Sequence, residues 1–490
     1  MRLERKDWLA VGLIAVSYTA IFTIMSCLKH ATFHSSIYDL GLFDQVIWNT
    51  AHGRFFESSV KGFNYLGDHF SPFLVLMAPL YWIREDVRLL LFVQTALVAA
   101  SVFPFAAIAC DALKNRVAAV VMAAVFLLYP NIGLVNMFDF HPEFLTIPLF
   151  VFAVYFMRKD RPWVAVIFSI LAVSTKEEVA ITAFFLGLYM IIWCRKRNAG
   201  LFLAAFSAAY FGSVMGVLMP MFKPAGAAGG YLYAERYVHL GGTMGEIAKN
   251  ALLHPVSAVI ASFSIMKLVM FFGIFAPTAF MAILGWPIIL VALPVLGYSY
   301  LSAYDLQFDI RQQYITIVVP FIMVAAVDGM ARLIRYVDKR RGSKGLPPNS
   351  RRVLIPVVSI MLFLGIGGLA ANCAIHIKFN QFTKLSNQAE LEEALSMIPR
   401  GASVATFNNL GPHLSQRRVL EFAVPFEPHL YHYAKFNLPL FSSADWQLFD
   451  LNETRWTGGK MGERIDALKR SGYRIALDKN NVILLTRTAP

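Results

Sequence analysis

The segment Tyr38-Asp39-Leu40-Gly41-Leu42-Phe43-Asp44-Gln45 sets two carboxylates in an otherwise mostly apolar stretch. Wound as a helix, it puts Leu40, Phe43 and Ile47 on one face and Asp39 and Asp44 on its two borders. A helix of this kind lying on a membrane would hold both acids at the lipid–water boundary. There, a carboxylate can take a proton from a hydroxyl. A solvated amphipathic helix explains the same spacing.

Two further motifs place acids beside histidines: Asn64-Tyr65-Leu66-Gly67-Asp68-His69-Phe70-Ser71-Pro72 and Phe138-Asp139-Phe140-His141-Pro142-Glu143. Asp68, His69, Asp139, His141 and Glu143 are ligand types that suit a divalent metal ion, the one cofactor the sequence suggests. Their spacing matches no defined metal motif, and helix capping or turn hydrogen bonding accounts for them equally. Lys176, Glu177 and Glu178 interrupt two apolar runs. Ionisable groups at membrane depth are costly unless paired or facing water, so these residues are expected to line a cavity. After a glycine-rich loop from Lys223 to Gly230 come Tyr231, Tyr233, Arg236 and Tyr237, a pattern that suits a mobile lid with an arginine for phosphate. Arg311 is a fixed cation for a phosphate, with a salt bridge to Asp309 or Asp305 as the alternative.

The elements that must carry these motifs are membrane helices. The 490-residue chain is 57% hydrophobic and 15% charged, against about 25% charged in an ordinary soluble domain. With four cysteines, it is neither disordered nor a disulfide scaffold. The net charge of +13 would suggest nucleic acid in a soluble chain. Here the basic residues cluster between apolar runs, as membrane topology requires, and no nucleic-acid partner is expected.

Trp8 to Leu28 reads as a retained anchor rather than a signal peptide, since it is long and no small-residue cleavage site follows. Further crossings are predicted at 87–110, 117–133, 143–157, 163–175, 179–194, 199–221, 264–282, 284–300, 314–334 and 353–373, giving about eleven spans. Phe70–Ile83 reads as a re-entrant or interfacial helix. Lys114 and Arg116, Arg158 to Arg161, Arg195 to Arg197 and Arg335 to Arg352 then share the cytoplasmic side with the N-terminus. The acidic motifs, outer loops 30–70 and 223–260, and the C-terminal region fall on the opposite side. Cys27, Cys110, Cys194 and Cys373 read as packed small hydrophobes.

The chain thus divides into a multi-span domain, 1–375, and a small extracytoplasmic α/β domain, 376–490. In the latter, helices are predicted at 387–398 and 462–470 and strands at 403–407, 418–424, 473–478 and 482–486, the last two joined by a Lys-Asn-Asn turn. His413 falls in a loop. This domain has no phosphate loop or nucleophile elbow.

The 38–45 motif with Trp48-Asn49, together with Leu66–Pro72, Phe138–Glu143, Lys176–Glu178 and Asn409-Leu410-Gly411-Pro412-His413, resembles an uncharacterised family of prokaryotic polytopic membrane proteins, domain of unknown function 2079. The resemblance runs over most of the chain in the same order. More distantly, the layout is similar to the GT-C glycosyltransferases: an anchor helix, an acidic first outer loop, many spans and an outer C-terminal domain. That likeness implies a polyprenyl-phosphate-linked sugar as donor and an aspartate in the first outer loop as base or acceptor-orienting group. Asp39 matches by position, with Asp44 as the alternative. The paired Asp-Glu or Glu-x-Asp forms of better-known members are missing.

The expected activity is therefore transfer of a sugar to a lipid, glycan or protein acceptor on the outer face of the plasma (inner) membrane. Arg311, Lys176 or His141 would meet the departing phosphate. The rival readings are a transporter or flippase for an anionic lipid or ion, and a non-catalytic envelope-assembly protein. The sequence shows no convincing internal repeat, and its acids gather near one face rather than at mid-depth, which favours the enzyme.

Overall fold

A computed structural model describes residues 1–224, 233–377, 379–423, 444–453 and 461–487. The chain is mostly helical, with a small C-terminal sheet. Six helical segments are long and apolar enough to cross a membrane: Arg5–Ala31, Arg88–Leu113, Arg116–Phe138, Arg197–Phe222, Asp305–Gly342 and Arg351–Ile375. A seventh is formed if Pro255–Ala261 and Ile265–Thr278, bent by 105°, count as one. Shorter apolar helices include Pro162–Val173, Val179–Ile192 and Trp286–Leu301.

Leu9, Leu13, Val16, Ile21, Ile24 and Leu28 on the first helix, like Ile355, Phe363 and Ile366 on the last, lie on the outer surface of the bundle. So much exposed aliphatic surface is stable in lipid and unstable in water. Small residues set the closest helix crossing. A Cβ on Gly285 or Gly329 would meet the backbone of Ala325 or Met281 respectively, so these glycines let two backbones touch.

The C-terminal sheet runs in the order β2-β1-β3-β5-β4, with β1 Val404–Thr406, β2 Leu420–Phe422, β3 Trp446–Asp450, β4 Arg474–Lys479 and β5 Val482–Thr486. β1 is parallel to both β2 and β3, whereas β5 is antiparallel to β3 and β4. Asn480 and Asn481 take positive φ values of 43° and 63°, the backbone that a two-residue hairpin needs and asparagine tolerates. Of the strands in the described residues, the sequence reading missed only β3. All five of its residues are buried.

One apolar cluster joins the segment from Ile37 to Phe43 to this sheet. Ile37, Leu40 and Phe43 belong to the same core as Leu391, Leu414, Leu420, Phe422 and Leu484. Hydrogen bonds reinforce the contact. The Ile37 N–H donates to the Asn408 carbonyl at 2.9 Å, Gln45 Nε2 donates to the Arg417 carbonyl at 3.1 Å, and Ser59 Oγ donates to the Leu420 carbonyl at 2.8 Å.

Gly411 permits the closest part of this contact, because a Cβ there would come within 2.5 Å of Ile37 Cβ. Gly411→Ala should therefore cost about 1–3 kcal/mol of overpacking. It should also displace the turn two residues before Asp39. Thermal unfolding in lipid, followed with a membrane-domain and a C-terminal-domain probe, measures the first effect.

Candidate functional site

Asp39 sits on a single wide helical turn, Ile37–Gly41, a backbone form often found at functional sites. Ser36 caps the turn, its Oγ accepting from the Tyr38 N–H at 3.2 Å. The Ser36 N–H in turn donates to Asp139 Oδ2 at 2.9 Å, and the Asp139 carboxylate receives Lys29 Nζ at 3.2 Å. Lys29 ends the first apolar helix and also donates to the Phe138 carbonyl. The turn that carries Asp39 is thereby tied to two transmembrane helices.

His141 faces Asp39, with Nε2 3.1 Å from Oδ1. Gln94 fixes the connection that carries it, accepting from the His141 N–H at 2.9 Å and donating to the Asp139 carbonyl at 3.2 Å. Pro142 then starts the short helix bearing Glu143. Burial alone would raise the Asp39 pKa, but the hydrogen bond and charge of His141 outweigh it and hold the carboxyl below its ordinary range. Burial likewise opposes the charged imidazole, yet Asp39 holds its pKa above 6.5. The two form a buried ion pair, each keeping the other charged.

A second network adjoins the first. Lys176 Nζ lies 2.7 Å from Glu143 Oε1 and 3.4 Å from Glu178 Oε1. Glu177 accepts from the Phe70 N–H at 2.9 Å and lies 3.0 Å from His69 Nδ1. The Tyr233 hydroxyl reaches Asp68 at 3.2 Å and His69 Nε2 at 3.3 Å, and its ring stacks on the imidazole. Lys61 lies 2.6 Å from Asp68. Against the cost of burial, the three nearby acids hold the Lys176 ammonium well above its usual pKa.

These groups surround a cavity of about 340 Å³ whose wall includes Asp39, Asp68, His69, His141, Glu143 and Lys176. Motifs from four separated stretches of sequence meet there. Asp139 and Glu177 stand behind the wall as anchors. Arg236 also stands behind it, its guanidinium over the rings of Tyr233 (4.4 Å), Tyr304 (4.7 Å) and Tyr314 (5.6 Å), which line the cavity. The expected lid residues 225–232 lie outside the described residues.

Asp44 and Arg311 also stand away from this cavity. Asp44 is at no lipid boundary: it is fully buried, hydrogen-bonded by Tyr81 and by Ser415 Oγ at 2.6 Å, on the side of its helix that meets the C-terminal region. Amphipathic spacing cannot reveal a second covered face. Arg311 does not face the Asp39 cavity either. It is engaged by Asp309 and lines a neighbouring cleft, whereas Lys61 and Lys176 line the Asp39 cavity, Lys61 beside Asp68 and Lys176 beside Glu143. Lys29, Gln94, Ser36 and Asn408 went unread as site residues, although lone polar groups at the end of or inside apolar runs, such as Lys29 and Gln94, are a recognisable signal.

Burial pushes the Asp44 carboxyl from 3.8 to about 6. An acid with a raised folded pKa adds stability below its unfolded pKa and loses it as pH rises through the folded one. Asp44→Asn, which keeps an acceptor for Tyr81 and a partner for Ser415, should therefore stabilise the protein at pH 8 by on the order of 1–3 kcal/mol. Near pH 3.5 it should gain almost nothing, a contrast that unfolding at the two pH values measures.

Among the described residues, no group of three or more His, Cys, Asp or Glu side chains is placed to hold a metal ion. Ammonium groups stand between the carboxylates instead, Lys29 on Asp139 and Lys176 on Glu143.

No curated protein matches the chain in sequence. Its fold is similar to that of ArnT from Cupriavidus metallidurans bound to undecaprenyl phosphate, with TM-score 0.53 and 12% identity over 99% of each chain. The apo form of the same protein aligns with TM-score 0.50 and 12% identity, over 97% of this chain and 98% of that one. A family model described as "Predicted membrane protein (DUF2079)" matches residues 29–484, and the chain belongs to that family of membrane proteins.

Proposed function

We propose that the chain is a membrane glycosyltransferase of the GT-C type that moves a sugar from a polyprenyl-phosphate carrier to an acceptor hydroxyl. One observation carries this reading: the Asp39–His141 ion pair and Lys176 open onto a single cavity. The likeness to ArnT, a GT-C glycosyltransferase crystallised with undecaprenyl phosphate, supports it.

Asp39 accepts the acceptor's hydroxyl proton as that oxygen bonds to the anomeric carbon. The bond from that carbon to the phosphate oxygen breaks, its electron pair stays with the phosphate, and the carrier leaves as polyprenyl phosphate. His141 holds Asp39 ionised and oriented. Lys176 meets the charge that grows on the departing phosphate, where a fixed cation in a dry site is most effective.

In this reading about eleven segments cross the plasma (inner) membrane, with the bent pair, the three shorter apolar helices named above and Thr146–Arg158 completing the count. The N-terminus and the basic loop 335–352 are cytoplasmic. Residues 376–490 form an extracytoplasmic domain docked over the Asp39 turn.

The test uses the full chain in lipid vesicles with radiolabelled polyprenyl-phosphate sugars and a membrane extract as acceptor source. Release of carrier with label moving to the extract is the expected result. No turnover of any donor, with lipid or ion flux in the same vesicles, overturns the reading in favour of transport.

A further inference from the structure

A second, larger cavity of about 840 Å³ lies between the membrane helices and the C-terminal region, within the range of about 300–1,000 Å³ usual for ligand sites. Phe138, Gln312 and Asn408 face both it and the Asp39 cavity. The wall between them is the strand of chain that leads to Asp39: Ser35 faces the larger cavity, while Ser36 and Asp39 face the smaller. Asn408 fixes that wall, its Oδ1 accepting from Ser36 Oγ and from the Ile37 N–H, each at 3.1 Å.

The lining is distinctive in its chemistry. Seven of its residues are carboxamides (Gln312, Asn380, Gln381, Asn387, Asn408, Asn409 and Asn452), alongside the hydroxyls of Ser35 and Ser386 and the rings of Phe33 and Phe138. Its two cations are both engaged by acids, Lys29 by Asp139 and Arg311 by Asp309, and Asp450 and Glu453 also line it. A phosphate headgroup would meet two further carboxylates, Asp450 and Glu453, on the same lining. Leu134, Met137, Leu306, Ile377 and Leu385 line it as well, but an acyl chain seated on them would have to desolvate the amides beside them. Amides paired with aromatic faces instead match a neutral ligand that offers both donors and acceptors at every hydroxyl.

We infer that this amide-lined cavity binds the acceptor and that the acceptor is a neutral glycan, presenting a hydroxyl to Asp39 past the Ser35–Ser36 wall. The acceptor role rests on the glycosyltransferase reading above. The ligand class rests on the cavity alone.

The test separates the two. Ser386→Cys, an exposed position on the rim, is labelled with a maleimide in the full chain in lipid, and the labelled peptide is quantified by mass spectrometry. The probes are pentasaccharides of glucose, mannose and N-acetylglucosamine, with glycerophosphoglycerol and a hydrophilic pentapeptide as comparators. For a site with Kd of about 1 mM, 10 mM sugar should slow labelling about tenfold. Labelling at Ser471→Cys, exposed and outside the cavity, should not change. Unchanged labelling with all three sugars, equal slowing at Ser471→Cys, or protection by the phosphodiester or peptide alone overturns the inference.

Ser386→Trp should crowd the rim of the cavity and reduce transfer to glycan about tenfold or more, with a much smaller loss of carrier turnover to water. Equal loss of both overturns the acceptor role. Sugar protection without turnover of any donor refutes the transferase, and with it the acceptor role, but upholds the glycan site.

Discussion

Asp39→Asn is expected to lower sugar transfer by about 10²- to 10⁴-fold, the usual contribution of a positioned base, with little loss of fold. Asparagine keeps the size of the side chain and can still accept from His141, but it cannot take a proton. His141→Gln separates the role of the pair from that of the carboxylate. Without the imidazolium the main counterweight to burial is lost, and the Asp39 pKa should rise.

The wild-type acid limb should therefore lie below pH 3.8, where Asp39 protonates, and because Asp39 stays ionised above it, loss of the His141 charge at higher pH imposes no alkaline limb. In His141→Gln the acid limb should move up in pH. Steady-state transfer across pH 3 to 9 reads the change. Asp39→Asn with a tenth or more of wild-type transfer would remove Asp39 as the base. An acid limb that stays put in His141→Gln would show that the imidazole does not govern it.

What the sequence revealed follows from the range of the forces involved. Apolar runs and basic clusters are local signals set by membrane thickness and charge, so the helices near Arg88, Arg116, Arg197 and Arg351 begin close to where composition places them. The Asn480-Asn481 hairpin is local in the same way. The identities of Asp39, Asp68, His69, His141, Glu143 and Lys176 as polar outliers were also legible, because burying such groups unpaired is costly. Their convergence was not, since no local rule pairs residue 39 with residue 141 or residue 143 with residue 176.

Asp44 shows what periodicity leaves out, since its place depends on Ser415 occupying the space beside it. For Arg311, the salt bridge to Asp309, one of its two readings, is the one the structure shows. The docking of the C-terminal sheet was equally hidden, because it depends on Gly411 and Asn408 meeting Ile37 and Ser36 some 370 residues away.

Lys176→Met should be the most damaging single change to the site, in stability as well as in rate. Lys176 and Glu143 have side chains only 4% and 5% exposed, and removing one partner of such a pair costs about 3–5 kcal/mol because the other charge stays buried alone. Glu143 Oε2 already lacks a hydrogen-bond partner, and without Lys176 only the more distant charges of His141 and His69 remain to oppose its burial. Pairing Lys176→Met with Glu143→Leu removes both charges and should recover most of the lost stability. It should not recover transfer, because the cation for the departing phosphate, worth about 10²- to 10³-fold by analogy with a single oxyanion donor, is still missing. Thermal unfolding in lipid and initial transfer rates of the two single variants and the double variant give the full comparison. Transfer restored with stability in the double variant would make Lys176 a structural counter-ion, and the phosphate-facing cation would then have to be sought elsewhere around the cavity.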